Sequence, residues 1–355
     1  MPSTLKILTD KGLIHPPKFL PTNVHYETIV GSVANGTSVD GSDYDIYGFG
    51  IPPRDMIFSH LAGDIEGFGR QKKRFNQYQQ HHIKTDGKEY DLTIYNIVRY
   101  FHLCMECNPN MVSSLFTPRN CVLHITQIGE RVREFRKEFL HKGAWIKFKS
   151  YSYSQLNKAL NTGEKNELVQ NIRRFEDERG IPHNTTLDDV KKEMEERGSL
   201  EVFEKTSDEE LISYHEMFEV GLGKSKRFTS RKTFNVDVKF LYHVVRLLDE
   251  VEQILVHRDI DLQRNREQLK AIRRGEMSFK DVAAWATEKE AQLEKVYAES
   301  KLPWGPDEGK IKNLLLECLE MHYGSLDKCI VNPDAAVTAL RQVSEIIEQN
   351  RKLLG

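Results

Sequence analysis

Gly31-Ser-Val-Ala-Asn-Gly-Thr-Ser-Val-Asp-Gly-Ser-Asp43-Tyr-Asp45 runs directly into Ile46-Tyr-Gly-Phe-Gly-Ile51 and stops at Pro52-Pro53. The alternation from Tyr44 to Ile51 predicts a strand that leaves its sheet at the prolines. Asp43 and Asp45 stand at i and i+2, so on a strand both carboxylates project from one face while Tyr44 points away. Two such carboxylates repel unless a cation sits between them, and Mg²⁺ suits the place because it takes hard oxygen ligands completed by water and phosphate. Upstream, Gly31-Ser32 and Gly36-Thr37 offer backbone that a triphosphate can approach closely, with hydroxyl and N–H donors for its oxygens. A solvated turn also uses Ser, Asp and Gly. What separates the two readings is the coupling of Gly-Ser, the carboxylate pair and a hydrophobic strand in one short segment.

Working outward, Lys88-Glu-Tyr-Asp-Leu-Thr-Ile-Tyr95 reads as a second strand, and Asn96 as the N-cap of a helix whose Ile97, Tyr100, Phe101 and Cys104 share one face. Asn108-Pro109 is expected to stop that helix. Beyond Trp145 the chain turns to long charged stretches with helical spacing. Asp188 to Arg197 and Val236 to Val256 read as helices, Ser278 with Asp281 as a helix start, and Ile311 to His322 as a helix after the break at Pro303-Trp-Gly-Pro306. The expected fold is α+β: a mixed β-sheet covered by helices over residues 1–145, then a mostly α-helical region over 146–355. Residues 165–232 have the weakest apolar periodicity and read as an insertion or a mobile lobe.

Composition narrows the function. The 355 residues carry 51 Lys and Arg against 53 Asp and Glu, a formal charge of −2, so no global positive field draws the chain to nucleic acid or anionic lipid. Any nucleic-acid contact must use a local patch. With 39% hydrophobic and 29% charged residues, and no apolar run near the roughly 20 residues that span a bilayer, no membrane role is expected. The first ten residues interrupt their apolar positions with Lys6 and Asp10, unlike a signal segment. The cysteines are then expected as reduced thiols in a cytoplasmic protein.

Gly-Ser, a short spacer with glycine, and Ser42-Asp43-Tyr-Asp45 entering a strand resemble the DNA polymerase β superfamily of nucleotidyltransferases. The longer resemblance is to its RNA-repair-associated (RlaP-type) branch. It is carried by the run Asp91 to Leu103, by Asn108 to Pro118, by Lys239-x-x-x-His243-x-x-Arg246-Leu-Leu248, and by Ile272-Arg-Arg-Gly275-Glu-Met-Ser278. The family pattern has Arg at the positions of Val33 and Tyr47.

The resemblance implies a nucleotidyltransferase core with a third carboxylate on a neighbouring strand, and Asp91 is the residue that matches. Asp43, Asp45 and Asp91 become the expected catalytic and metal-binding set for Mg²⁺ or Mn²⁺. Gly31, Ser32, Thr37 and Ser42 become the expected phosphate contacts. Lys239, His243 and Arg246, one stripe of a helix by their spacing, are expected to hold triphosphate or acceptor phosphate. The implied reaction moves an NMP from an NTP to a hydroxyl, most simply an RNA (tRNA-like) 3′ end reached through local basic patches, and releases pyrophosphate. The same chemistry serves a protein or small-molecule hydroxyl, and a non-catalytic RNA- or nucleotide-binding module could share the fold.

Other signals rank lower. Gly221-Leu-Gly-Lys-Ser225 ends like a P-loop, but its first glycine would fall at Phe218 and no strand precedes it. Cys104-x-x-Cys107 with Cys121-x-x-His124 has a zinc-like spacing, though the helix face that holds Cys104 favours buried thiols. Between Glu66 and His82, Arg70, Lys72, Lys73 and Arg74 interleave with Phe75 and Tyr78, a pattern that grips single-stranded nucleic acid or forms a solvated loop. Lys224 to Lys232 is a second basic cluster of the same kind.

Overall fold

The computed structural model describes residues 2–38, 43–69, 74–163, 166–224, 228–330 and 335–351. Ser42, Arg70, Lys72 and Lys73 therefore lie outside the described residues. The chain divides into two compact units, Met1–His141 with Pro303–Gly355, and Lys142–Leu302.

The first unit holds a five-stranded sheet of β1 (Val24–Ile29), β2 (Tyr44–Gly50), β3 (Gln77–Thr85), β4 (Lys88–Asn96) and β5 (Val122–Ile125) in the order β3-β4-β2-β1-β5. Within it β2 and β4 run parallel, and the remaining neighbours are antiparallel. The sheet is mixed, in an α+β fold, as the sequence leads one to expect. Alternation gives β2 and β4 two apolar faces. On one, Ile46, Leu92 and Ile94 pack with Leu5 and Leu8 of the Thr4–Asp10 helix. On the other, Phe49 meets Tyr100 of the Ile97–Met105 helix at 5.0 Å between ring centroids. Each such buried side chain is worth about 1.5–3 kcal/mol.

Asn96 caps the Ile97–Met105 helix, its side chain accepting from Val98 N–H. Asn108-Pro109 does not simply stop that helix. Asn108 caps a second one, Pro109–Leu115, in which proline takes the first turn, where its missing N–H is not needed. A buried polar contact also organises the sheet: Glu27 on β1, with no exposed surface, accepts from Leu5 N–H at 3.0 Å and Thr4 N–H at 2.5 Å. It thereby caps the first turn of the N-terminal helix from across the sheet.

The sequence reading kept 146–355 together, whereas the segment from Pro303 groups with the sheet unit. The reason is a set of polar ties from the Glu308–Tyr323 helix: Glu317 to Arg131 at 2.8 Å, His322 Nδ1 to His25 Nε2 at 3.0 Å, and the Tyr323 hydroxyl to Pro52 O at 2.5 Å.

In the second unit, the Val238–His257 helix packs on the Gly143–Gly163, Arg266–Arg273 and Phe279–Glu299 helices. Ser278 and Asp281 form a reciprocal capping box at the start of the last. Within 165–232, the helices Glu167–Arg179, Leu187–Glu195, Asp208–Lys224 and Phe228–Phe234 build a core of their own around Ile172, Phe203, Tyr214 and Phe218. Its centre is charged: Lys232 and Glu176 form a wholly buried ion pair, joined by the Tyr214 hydroxyl and by His183 Nδ1 at 2.8 Å. Polar residues at interior positions are the reason the apolar periodicity of this segment is weak. Gly221, in the P-loop-like string, is helical and faces Phe228, so close approach accounts for the glycine. Among the described residues no helix is long and apolar enough to cross a membrane, and all five cysteines are free and buried.

Candidate active site

The parallel register of β2 and β4 sets Asp45 directly opposite Asp91. Paired residues on parallel strands point to the same face, and neighbouring backbones lie about 4.8 Å apart, so the two carboxylates are side by side on the sheet. Asp43 stands one residue before β2 begins, exposed at its mouth.

The end of β1 delivers the glycine-serine turn to the same place. Ile29 pairs with Ile46, and Val30 N–H donates to Asp45 O at 2.8 Å, which brings Gly31 against Asp45. Gly31 has φ +68°, and a Cβ there would lie 2.8 Å from Asp45 Oδ2. Both facts require glycine. Ser32 is half-buried in the short Gly31–Ala34 helix. Thr37 is buried, with its N–H 2.9 Å and its hydroxyl 3.4 Å from Ser32 O. The sequence reading gave Thr37 to phosphate; here it closes the turn, because an inward hydroxyl needs an internal acceptor.

Asp91 is held from a third strand. His82 N–H donates to its Oδ1 at 2.8 Å, and His81 Nδ1 lies 3.1 Å from Oδ2. Burial pushes the Asp91 carboxyl up, but the His82 N–H and the His81 contact outweigh it and hold the group below the usual carboxylate range. Neither histidine is identifiable as a site residue from composition. The signal that could have found them is His81-His82 opposite an aspartate in a run that pairs with β4. Neither reading of 66–82, as a grip for single-stranded nucleic acid or as a solvated loop, includes that pairing, whereas Gln77–Thr85 is an edge strand.

Among the described residues no three His, Cys, Asp or Glu side chains are drawn together as a metal cage. Asp43, Asp45 and Asp91 are thus not gathered as a set of three; what the register brings together is the Asp45–Asp91 pair, two carboxylates of the kind Mg²⁺ takes when water and phosphate complete its ligands. Around the zinc-like spacing, Cys104 is fully buried with its thiol pushed well up by desolvation, Cys107 Sγ lies 3.6 Å from Phe139 O, and His124 Nε2 is 3.2 Å from Val24 O. Those contacts are structural.

In the second unit, Lys239 is exposed, His243 half-buried, and Arg246 buried with Nη1 3.3 Å from Glu250 Oε1. The expected phosphate role of Arg246 gives way to a buried ion pair one helical turn along, since a guanidinium at that depth needs a counter-charge.

A cleft of about 920 Å³ opens at the far ends of β2 and β4, away from the carboxylates, lined by Arg74 and Arg99, by Phe19 and Phe75, and by Asp55 and Asp64. The two phenylalanine rings meet edge to face at 5.3 Å.

The mixed five-stranded sheet with its helices is consistent with the α+β core of a nucleotidyltransferase. The chain belongs to the RNA repair pathway DNA polymerase beta family (RlaP), whose family model matches residues 15–317. A search of the curated proteins finds no match, and neither does a search of solved structures.

Proposed function

We propose that the protein is a metal-dependent nucleotidyltransferase that moves an NMP from an NTP to a hydroxyl at an RNA 3′ end. The observation that carries this reading is the in-register Asp45–Asp91 pair beside Gly31, in a chain of this family. Asp45, with Asp43 and Asp91, would hold Mg²⁺ or Mn²⁺, which supplies neutralisation of triphosphate charge and lowers the pKa of the attacking hydroxyl. A bond forms between the acceptor oxygen and the α-phosphorus, the bond from that phosphorus to the bridging oxygen breaks, and pyrophosphate leaves with the electron pair while the hydroxyl's proton passes to solvent water. Gly31 lets triphosphate oxygens approach backbone, and Ser32 supplies a hydroxyl donor.

For the acceptor, the cleft of Arg74, Arg99, Phe19 and Phe75 combines cations for phosphate with rings for bases, which is how single-stranded nucleic acid is gripped. Incubating the full chain with each labelled NTP, Mg²⁺ or Mn²⁺, and separate pools of tRNA, other RNA, DNA and protein tests the reading. Label on RNA that is lost in Asp45→Asn is expected. Label on protein alone would replace the acceptor, and no label in any pool would remove the enzyme reading.

A further inference from the structure

The pairing of β3 with β4 slips between Gln80 and Ile83, so that His81 and His82 together stand opposite Asp91. This is a β-bulge, with two residues facing one. His82 takes φ +55°, a left-handed conformation that costs a side-chain-bearing residue about 1–2 kcal/mol. What the strained geometry secures is visible: the His82 amide reaches Asp91 Oδ1 at 2.8 Å, its imidazole reaches Glu89 at 2.5 Å, and the His81 ring swings to Asp91 Oδ2 at 3.1 Å.

The ring of His81 is itself oriented. Gln77, Gln79 and His81 lie at i, i+2 and i+4 on one face of the strand. Gln77 Nε2 donates to Gln79 Oε1 at 3.1 Å, and Gln79 Nε2 donates to His81 Nε2 at 2.6 Å. With Nε2 accepting, Nδ1 carries the ring proton and donates it to Asp91. A file of side chains along an exposed edge strand thus ends on one carboxylate oxygen.

We propose that His81 is a positioning residue of the site: its Nδ1–H, together with the His82 amide, fixes the Asp91 carboxylate in the orientation that sets it beside Asp45. Asp91 then enters the site with its rotamer already chosen, and the bulge is the device that supplies two donors where a regular strand would supply at most one. The inference rests on the metal-site reading above. Outer groups that orient a ligating carboxylate typically matter by about 10–100-fold in metal affinity.

The test is Mn²⁺ binding to the full chain by calorimetry and electron paramagnetic resonance, with melting temperature as a guard on folding. His81→Phe keeps a ring but removes the donor, and is expected to weaken Mn²⁺ by about tenfold. His81→Asn, whose amide N–H falls near the place of Nδ1–H, is expected to recover most of that loss. In the Asp91→Asn background, His81→Phe is expected to add nothing. Gln79→Leu, which leaves both rings in place, should weaken Mn²⁺ in the same direction and serves if His81→Phe lowers the melting temperature by many degrees. Wild-type affinity in His81→Phe or, for an unfolded His81→Phe, in Gln79→Leu, alongside a loss in Asp91→Asn overturns the positioning role and leaves the metal reading intact; so does an equal loss in His81→Asn and His81→Phe. Unchanged affinity in Asp91→Asn and Asp45→Asn, or no Mn²⁺ uptake by the wild type, removes the metal reading and the positioning role with it.

Discussion

The Asp45 carboxylate fills the space in which a side chain on Gly31 would begin, 2.8 Å from that Cβ position. Turn and carboxylate therefore cannot vary independently. Gly31→Ala meets both the contact and the positive φ, and the backbone part alone costs about 1–2 kcal/mol. The expected outcome is a lower unfolding midpoint together with weaker Mn²⁺ binding, because Asp45 must turn aside. Wild-type behaviour on both counts would show that the turn does not brace the carboxylate.

Asp45→Asn and Asp91→Asn each remove one charge from the pair at almost constant volume. Transfer is expected to fall by at least on the order of 10³-fold in both, with folding preserved. Single-turnover rates with saturating NTP, set beside thermal melts, provide the check. Full transfer in either variant contradicts the carboxylate-pair mechanism.

RNA binding should report on the distant cleft. Replacing Arg74 or Arg99 with Ala is expected to weaken single-stranded RNA binding across sequences and to reduce the salt slope by about one phosphate contact each. Fluorescence anisotropy over a salt series measures this, and unchanged slopes would place the acceptor elsewhere.

Acid should destabilise the sheet unit through His25. Burial, then the facing His322 and His124 rings, hold its pKa at about 3 against 6.5 for a free imidazole. Above pH 6.5 the neutral ring serves both folded and unfolded chains equally. As pH falls from there toward 3, the unfolded chain takes up a proton that the folded one refuses, so stability drops by up to about 1.4 kcal/mol per pH unit. His322, also lowered by burial, adds to the same trend. Urea midpoints at pH 7 and pH 5 should draw together in His25→Gln relative to wild type; an identical gap would refute the assignment.

The lobe core makes a sharper stability prediction. Lys232→Met strands the Glu176 charge in the interior and should destabilise by about 3–5 kcal/mol, whereas adding Glu176→Gln should restore part of that loss. Chemical denaturation of both variants decides it.

Where pattern and chemistry agreed, the sequence was legible. Tyr44 to Ile51 and Lys88 to Tyr95 read as strands because apolar residues such as Ile46, Leu92 and Ile94 fall at the two-residue spacing that packs one sheet face, and Asn96 and Ser278 announce their helices by capping them. β3 was hidden because an edge strand with its side chains in water carries no apolar alternation; Gln77, Gln79 and Gln80 look like a loop until pairing with β4 is known. Thr37 and Arg246 were assigned by residue type to phosphate, yet what each touches depends on depth, which spacing along a helix or turn does not encode. The pairing of Asp45 with Asp91 needed a register, and registers are set by the whole sheet.

The division of the chain has a consequence for biogenesis. Residues 142–302 are a complete unit written inside the other, so a ribosome finishes them before Glu317 and His322, which tie back to Arg131 and His25, have emerged. Domains fold as units during synthesis at about 5–20 residues per second. The helical unit is thus complete on the ribosome before the sheet unit is, and the helix that carries Glu317 and His322 follows the sheet of Asp45 and Asp91 by about 10–30 seconds of translation.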